Sequence, residues 1–403
     1  MKKLLCIVIL IICAGIASAA TTPVDCSSAS TVNTAISNAS SGDTLQCSVG
    51  GTWTSDVDIP TTKYITLDLN EKTITVSGSG VQFIIRNHAT GINRVTNGNL
   101  VRGSGFDPYT GPIQMTTTKG AQTLRLDNIS FSGSNVILNS YGDGPALVDN
   151  CTFTAGAAQE AIHLYGSSWT DAYTPGSNDA IVFEDNTFNG AGSGANTSWS
   201  QAYYAARQMW RYNTFNWWSV DCHGTAGNVG CRWWDMYNND FSTSGGNGII
   251  CLRAGSGIVF GNTNIYGFVM VEENSGYPAD YQIGRGQSQA LYPAYAWDNE
   301  GNPGLNSGGT CSAAVANMVQ LNRDVYYPTS GTSLPGSCSG ESGYWKTDAG
   351  GNWDTTHGGA NDGALYKCNG STYDLYYTPL QYPHPARDEA GVPSNAIQGV
   401  SIN

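Results

Sequence analysis

Charge is what this chain has least of. Asp, Glu, Lys and Arg make up 12% of its 403 residues, and Lys plus Arg number 18 against 31 Asp plus Glu. A chain so short of cations has little with which to neutralise a run of phosphates, so nucleic acid and anionic membrane surfaces are poor candidates as partners. Several short signatures are missing as well: no strand-embedded Gly-x-Ser-x-Gly, His-Glu-x-x-His, Walker loop or dinucleotide fingerprint occurs. Serine esterase, zincin, nucleotide and nicotinamide chemistry therefore have no support. No Cys-x-x-Cys pair exists, which argues against zinc. Beyond residue 19 no apolar run is long enough to span a membrane, and no strong helical repeat runs through the body of the chain.

One apolar run does exist, at the start. Met1 to Ala19 carries Lys2-Lys3, an apolar core from Leu4 to Ile16, and Ala17-Ser18-Ala19 as a small-x-small cleavage site. This reads as a secretory signal peptide. A lipoprotein reading at Cys13 is weakened by Ile12, where such a site prefers a small residue. The mature protein is expected to be exported, secreted or held at the cell surface, with no membrane span. Its 50 Gly and abundant Ser, Thr, Asn and Tyr predict a neutral polar surface, which suits sugar hydroxyls.

The strongest signal is a repeated phrase. It reads Asn128-Ile-Ser-Phe131, Asn150-Cys-Thr-Phe153, Asp185-Asn-Thr-Phe188, Tyr212-Asn-Thr-Phe215, Asn238-Asn-Asp-Phe241 and Asn262-Thr-Asn-Ile265, with weaker copies at Glu71-Lys-Thr-Ile74 and Asn97-Gly-Asn-Leu100. From Phe131 on, the aligned apolar residues recur at intervals of 22, 35, 27, 26 and 24. Irregular recurrence in the twenties marks a solenoid of stacked coils. Each unit holds two short strand-like runs, such as Ala161 to Tyr165 and Ala180 to Phe183, with Gly, Ser, Asn and Asp at the corners. The repeated Asn suits a sharp bend, because its amide can hydrogen-bond backbone and it tolerates left-handed dihedrals; stacked, such residues form a ladder. Strands without helices leave a parallel β-helix.

From about residue 25 to 290 the chain thus resembles the right-handed parallel β-helix proteins of the pectate-lyase-like superfold. The expected fold class is all-β: a right-handed parallel β-helix solenoid with an N-terminal cap helix and a C-terminal appendage containing a β-hairpin. The expected segments are a signal peptide (1–19), a cap and first coil (20–60), the β-helix (61–276) and a loop-rich capping region (277–403). The cap rests on Val32, Ile36 and Ala39 near helical spacing before Gly42, and a solenoid end needs such a cover. In the tail, Asn369-Gly370 between aromatic runs predicts a hairpin. The tail reads as a cover for the last coil or as a small sugar-binding module. Tyr382-Pro-His-Pro385 reads as an extended strap. Nine cysteines follow the signal peptide, an odd number. The favoured pairs are Cys26 with Cys47 and Cys311 with Cys338. Cys222 pairs with Cys231 or Cys251, and Cys151 is a buried thiol.

In a stacked helix, outward residues at equivalent places on successive coils form columns spaced about 4.8 Å apart. Reading apolar residues inward puts His163 and Tyr165, Asp221 and His223, Arg253, and Glu272 or Glu273 on one outer face. Those groups are the ingredients of acid/base cleavage of a polysaccharide. A lyase acting on uronic acids would use Arg253 or Arg232 with His223; a hydrolase would take its two carboxylates from Asp221, Asp235, Glu272 or Glu273. Lyases of the superfold typically use calcium held by Asp or Glu, but no dense acidic cluster matches such a site residue by residue, so no metal or other cofactor is expected. The pectin hydrolases' paired-Asp motif is missing, and Cys222-His-Gly224 only faintly echoes their His-Gly element. Aromatics crowd the same coils, and Trp169, Tyr204, Trp210, Trp218 and Trp234, with Arg232, are the candidate sugar-binding residues. One of each Trp217-Trp218 and Trp233-Trp234 pair must face inward. The expected function is polysaccharide binding with cleavage as lyase or hydrolase; the alternative is a non-catalytic adhesion or structural β-helix.

Overall fold

The computed structural model describes residues 19–157, 160–168, 172–191, 198–223, 230–241, 249–265, 267–270, 281–282, 285–286, 293–301, 303–305 and 319–388. The signal peptide, Trp169, Glu272, Glu273 and Cys311 lie outside them, Ala19 excepted. Within them the chain is nearly all strand, gathered into two long sheets whose strands pair in parallel with their counterparts one turn on, an arrangement compatible with a parallel β-helix. Each turn carries three strands rather than the two expected. In one turn these are Ile181–Glu184, Thr187–Ala191 and Ser198–Tyr203. The first two kinds merge into a single 17-stranded sheet, because Arg94–Arg102 and Leu124–Gly133 run unbroken across the corner between them. The third kind forms a separate ten-stranded sheet.

The repeated phrase builds that corner, and its residues divide the work. The first residue of each copy takes a left-handed backbone: Glu71, Asn97, Asn128, Asn150, Asp185, Tyr212 and Asn238 have φ between 52° and 62°. Asn and Asp tolerate that region better than other side chains, which explains their prevalence. The second residue points inward. Asn213 Nδ2 donates to the Phe183 carbonyl (2.9 Å) and to Asn239 Oδ1 (3.0 Å), while its own Oδ1 accepts from the Asn186 backbone N–H (3.0 Å). Asn186, Asn239 and Asn262 repeat the pattern. Bends that would strand backbone groups inside the protein are thereby satisfied coil by coil. The fourth residue is the knob. Phe131, Phe153, Phe188, Phe215 and Phe241 are buried and stack at centroid spacings of 4.5 to 4.9 Å, with Ile74 and Leu100 aligned before them.

Two details of register differ from the sequence reading. Thr263 pairs with Asp240, so the sixth copy is Gly261-Asn262-Thr263-Asn264, one residue earlier than expected, with Gly261 (φ 64°) taking the left-handed place. A further copy follows at Asp298-Asn299, where Asp298 has φ 49° and Asn299 Oδ1 accepts from Asn262 N–H (3.2 Å). Parallel pairing continues through Ala294–Trp297 to Val325–Tyr326.

At the other end the helix Ala29–Asn38 buries Val32 and Ile36 and is capped by Ser28. It packs against Thr21–Asp25 and Val57–Ile59, the terminal strands of the two sheets, and Cys26 is bonded to Cys47 beside it.

The tail does more than follow the last coil. A sheet of Thr329–Gly331, Gly343–Lys346, Ala364–Cys368 and Tyr373–Tyr377 forms, the last two strands antiparallel around Asn369-Gly370. Cys338 is bonded to Cys368, which corrects the expected Cys311–Cys338 pair: strand pairing brings Cys368 back beside the segment holding Cys338. Cys222 is bonded to Cys231, Cys251 is disulfide-bonded as well, and Cys151 is a free buried thiol. The appendage lies along the side of the solenoid. Its Trp345, Trp353, Leu365 and Tyr377 join Leu147, Val182, Met209, Tyr237, Ile258, Phe260 and Trp297 in a second apolar cluster. This face grades from charge to ring along one register column: Asp127, Asp149, Glu184, Arg211, Tyr237, Phe260, Trp297. The strap Tyr382–Arg387 covers the charged half. Arg387 reaches Asp149 (2.9 Å), Glu184 (3.1 Å) and Asp185 (2.7 Å). Arg211 pairs with Glu184 (2.6 Å) and donates to the carbonyls of Leu380 and Gln381.

Replacing one rung of the amide ladder tests its weight. Asn213→Ala leaves Asn186 N–H and the Phe183 carbonyl without their partner, and should cost about 1–3 kcal/mol of stability in chemical denaturation. Asn213→Asp should not restore it, because a carboxylate cannot donate to Phe183.

Candidate functional site

The ten-stranded sheet presents the face on which the candidate catalytic residues were expected. Register sets Leu138, Ile162, Ser200, Val220 and Ile250 in one inward column, and between such columns run two outward ones. The first is Asn139, His163, Gln201, Asp221 and Cys251; the second begins Tyr141, Tyr165, Tyr203. His223 stacks on Tyr203 at 4.6 Å, extending the second column, and Arg253 occupies the same place one coil later, just after Leu252. Tyr141, Tyr165 and Tyr203 themselves stack at 5.0 and 5.3 Å. Gln201 was not among the expected site residues. The alternating Ser198-Trp-Ser-Gln-Ala-Tyr203 was the available signal for this strand.

A second missed residue is central. Register slips between Glu160 and Ile162, and this bulge turns Glu160 to the same side as His163. Glu160 Oε2 lies 2.5 Å from His163 Nε2, and Tyr165 Oη lies 3.0 Å from His163 Nδ1. All three groups are satisfied when His163 carries its hydrogen on Nε2 and accepts the Tyr165 hydroxyl on Nδ1. Glu160 also accepts from Gln201 Nε2 (2.9 Å), and Tyr203, whose hydroxyl lies 3.4 Å from Glu160 Oε2, donates its hydrogen to Gln201 Oε1. Burial opposes ionisation of Glu160, but the His163 hydrogen bond and the nearby His163 and His223 outweigh it and hold the carboxyl below its ordinary range. Burial raises the Tyr165 hydroxyl well above a free phenol, and neighbouring Tyr141 and Glu160 add to this. His163 is buried; Tyr165 and Glu160 are partly open to solvent.

The other candidates fall elsewhere. Asp221 and Arg253 lie on the face but grip each other: Arg253 Nε donates to Asp221 Oδ1 (3.0 Å) and Nη2 to Oδ2. Both are buried, so Asp221 is no open acid or base. Trp210, Trp218 and Trp234 are corrections: each is 0% exposed. Trp210 stacks on Phe183 at 4.0 Å inside the coil, and the indole N–H of Trp218 and of Trp234 donates inside the protein, to Ser200 (2.8 Å) and to the Ala254 carbonyl (3.1 Å). A large ring between stacked Phe residues stabilises more than it would on the surface. Arg232 is buried too. Among the described aromatic candidates only Tyr204, at 42% exposure, stands in solvent, tilted against Tyr165 at 5.8 Å. Among the described residues no group of three or more His, Cys, Asp or Glu is placed to hold a metal ion, and no helix is long and apolar enough to cross a membrane. The disulfides Cys26–Cys47, Cys222–Cys231 and Cys338–Cys368 fit an oxidising compartment.

Asp235, a hydrolase candidate, is buried beneath the appendage on the other sheet. Trp233 Nε1 donates to its Oδ1 (3.0 Å), while Oδ2 has no partner among the described residues. Burial drives its pKa up to about 8.

The chain matches no protein-family model, no curated protein and no solved structure. The geometry therefore carries the functional argument.

Asp235 makes stability depend on pH. Between about 4 and about 8 the unfolded carboxyl ionises while the folded one stays protonated. Rising pH should thus erode stability across that window by up to about 1.4 kcal/mol per unit, levelling off above it. Melting curves of Asp235→Asn should lack this contribution, with the variant's gain over wild type larger at pH 8 than at pH 4.

Proposed function

We propose that this is an exported right-handed β-helix protein of the pectate-lyase-like kind, and that the outer face of its ten-stranded sheet binds polysaccharide. The observation that carries the reading is the column Tyr141, Tyr165, Tyr203, with Tyr204 beside it. Its rings repeat at the coil spacing and end on the His223 imidazole, while the neighbouring amides of Asn139 and Gln201 are buried. Sugar rings offer apolar C–H faces and hydroxyls together, and such a mixed surface suits both. Local charge fits a weakly charged or uncharged chain: Asp221 is paired with Arg253, and Glu160 is held by hydrogen bonds from His163 and Gln201. The buried tryptophans have no part in binding and belong to the coil interior.

Affinity electrophoresis of the mature protein against a panel of uronic and neutral polysaccharides tests this. Retardation by at least one polymer is expected. Tyr204→Ala should weaken it by about 10-fold, the scale of one aromatic contact, without lowering thermal stability. No retardation by any polymer would overturn the reading and leave the adhesion or structural role.

A further inference from the structure

We infer that the strands following the Asn corner present an outer face that binds the surface of ice. This face is separate from the tyrosine column, and the inference does not depend on the polysaccharide reading. The third residue of the repeated phrase points outward between the inward second and fourth. Register lines up Thr73, Asn99, Ser130, Thr152, Thr187 and Thr214 in one outward column. The residue two places further along each strand also faces out, and these form a second column from Thr75 to Asn216. All of these side chains are half-buried or exposed, and none is charged or aromatic; apart from Val101 every one is Thr, Ser or Asn. Asp240, which follows Thr214 in the first column, ends the uncharged patch.

The array is regular in both directions. Phe131, Phe153, Phe188 and Phe215, directly beneath it, stack at 4.5, 4.9 and 4.8 Å, so the rows above them repeat at that interval. Two residues of strand set the columns about 6.6 to 6.8 Å apart. Both distances lie close to the repeats of water oxygens on a prism face of hexagonal ice. Thr is stiff at χ1, which keeps each hydroxyl and methyl in a fixed place from row to row. Asn216 Nδ2 donates to Asn189 Oδ1 (2.9 Å), so the amides that end the second column run along it in register. Among the described residues, no partner engages the hydroxyls of Thr73, Ser130, Thr152, Thr187 or Thr214, which leaves them open to a ligand.

The chemistry of the face selects among partners. With no charge to complement, it offers nothing to an ionic ligand. With no outward aromatic ring, it lacks the flat apolar surface on which a sugar ring packs. A hydroxyl that exchanges liquid water for another hydrogen-bonding partner gains little by itself. Affinity therefore has to come from many such contacts made at once, the first of which holds the rest in place. A small soluble ligand spans one or two rows. An uncharged lattice whose own period matches the rows can meet all of them together, and ice is a lattice of that kind.

Slow growth of an ice crystal in a solution of the mature protein provides the test, reading the protein taken into the ice against that left in the liquid, with crystal shape followed under a microscope. Wild type should be enriched in the ice and should facet the crystal. Thr187→Lys in the first column and Thr154→Lys in the second each place a long charged side chain in the middle of the array, and each should lower the enrichment by about 10-fold, the scale of one good contact. Leu375→Lys, which adds the same charge at an exposed place on the appendage, should partition as wild type. Thermal melts establish that the variants are folded, and either column variant suffices if the other is not. Exclusion of wild type from the ice, or full partition of a folded column variant, would overturn the inference. So would a wild-type dimer in sedimentation that Thr187→Lys dissociates, which would assign the face to a second copy of this chain. Retention on insoluble crystalline chitin or cellulose that Thr187→Lys abolishes, without partition into ice, would assign it to a polymer crystal instead and overturn the inference equally.

Discussion

Every turn of this chain must bend sharply while buried, and a buried bend strands polar backbone groups. The inward amides of Asn186, Asn213, Asn239, Asn262 and Asn299 meet that constraint, each bonded to its neighbour and to a carbonyl of the preceding coil. With the corner fixed at Asn186, Asn213 and Asn239, the Phe residues two positions on, Phe188, Phe215 and Phe241, land in the same internal stack. Side-chain alternation from that anchor determines which residues of the next strands face out. The outer columns, including the Tyr165 and His163 rows, inherit their alignment from the amides.

This dependence explains what the amino-acid pattern reveals and what it conceals. The phrase Asp185-Asn-Thr-Phe188 states corner, ladder and knob directly, and all seven left-handed first residues lie where the repeats place them. The placement of His163 with Asp221 in one column, and of Tyr165 with His223 in the other, was likewise legible from alternation. The bulge that brings Glu160 to His163 was not, because a one-residue slip leaves no trace in composition. Nor was the fate of the tryptophans. Trp218 reads as a surface platform until the coil geometry shows it wedged against Phe188 at 5.1 Å. Cys338 was assigned to the wrong partner because the antiparallel pairing that brings Cys368 close is non-local.

The two long sheets have met opposite ends. Along the column from Asp149 to Trp297 the outer face of the 17-stranded one is covered by the chain's own tail, aromatic against aromatic near Phe260 and Trp345, ionic near Glu184 and Arg387. The ten-stranded one keeps Tyr165, Tyr204 and His223 at its surface. Burying four charges such as Asp149, Glu184, Arg211 and Arg387 is costly unless each is matched, and the strap supplies both an arginine and main-chain carbonyls to do so. One side is thus committed to architecture, leaving the other free for chemistry.

That strap also changes how the molecule can come apart. Stacked coils held only by their neighbours can fray one at a time from an end. Arg125, Asp149, Glu184 and Arg211 sit on four consecutive coils, and a single stretch of chain from Leu380 to Arg387 touches all of them. No one of these coils can peel away while the tail remains docked, so the segment behaves as a tie that turns a stepwise array into a cooperative unit.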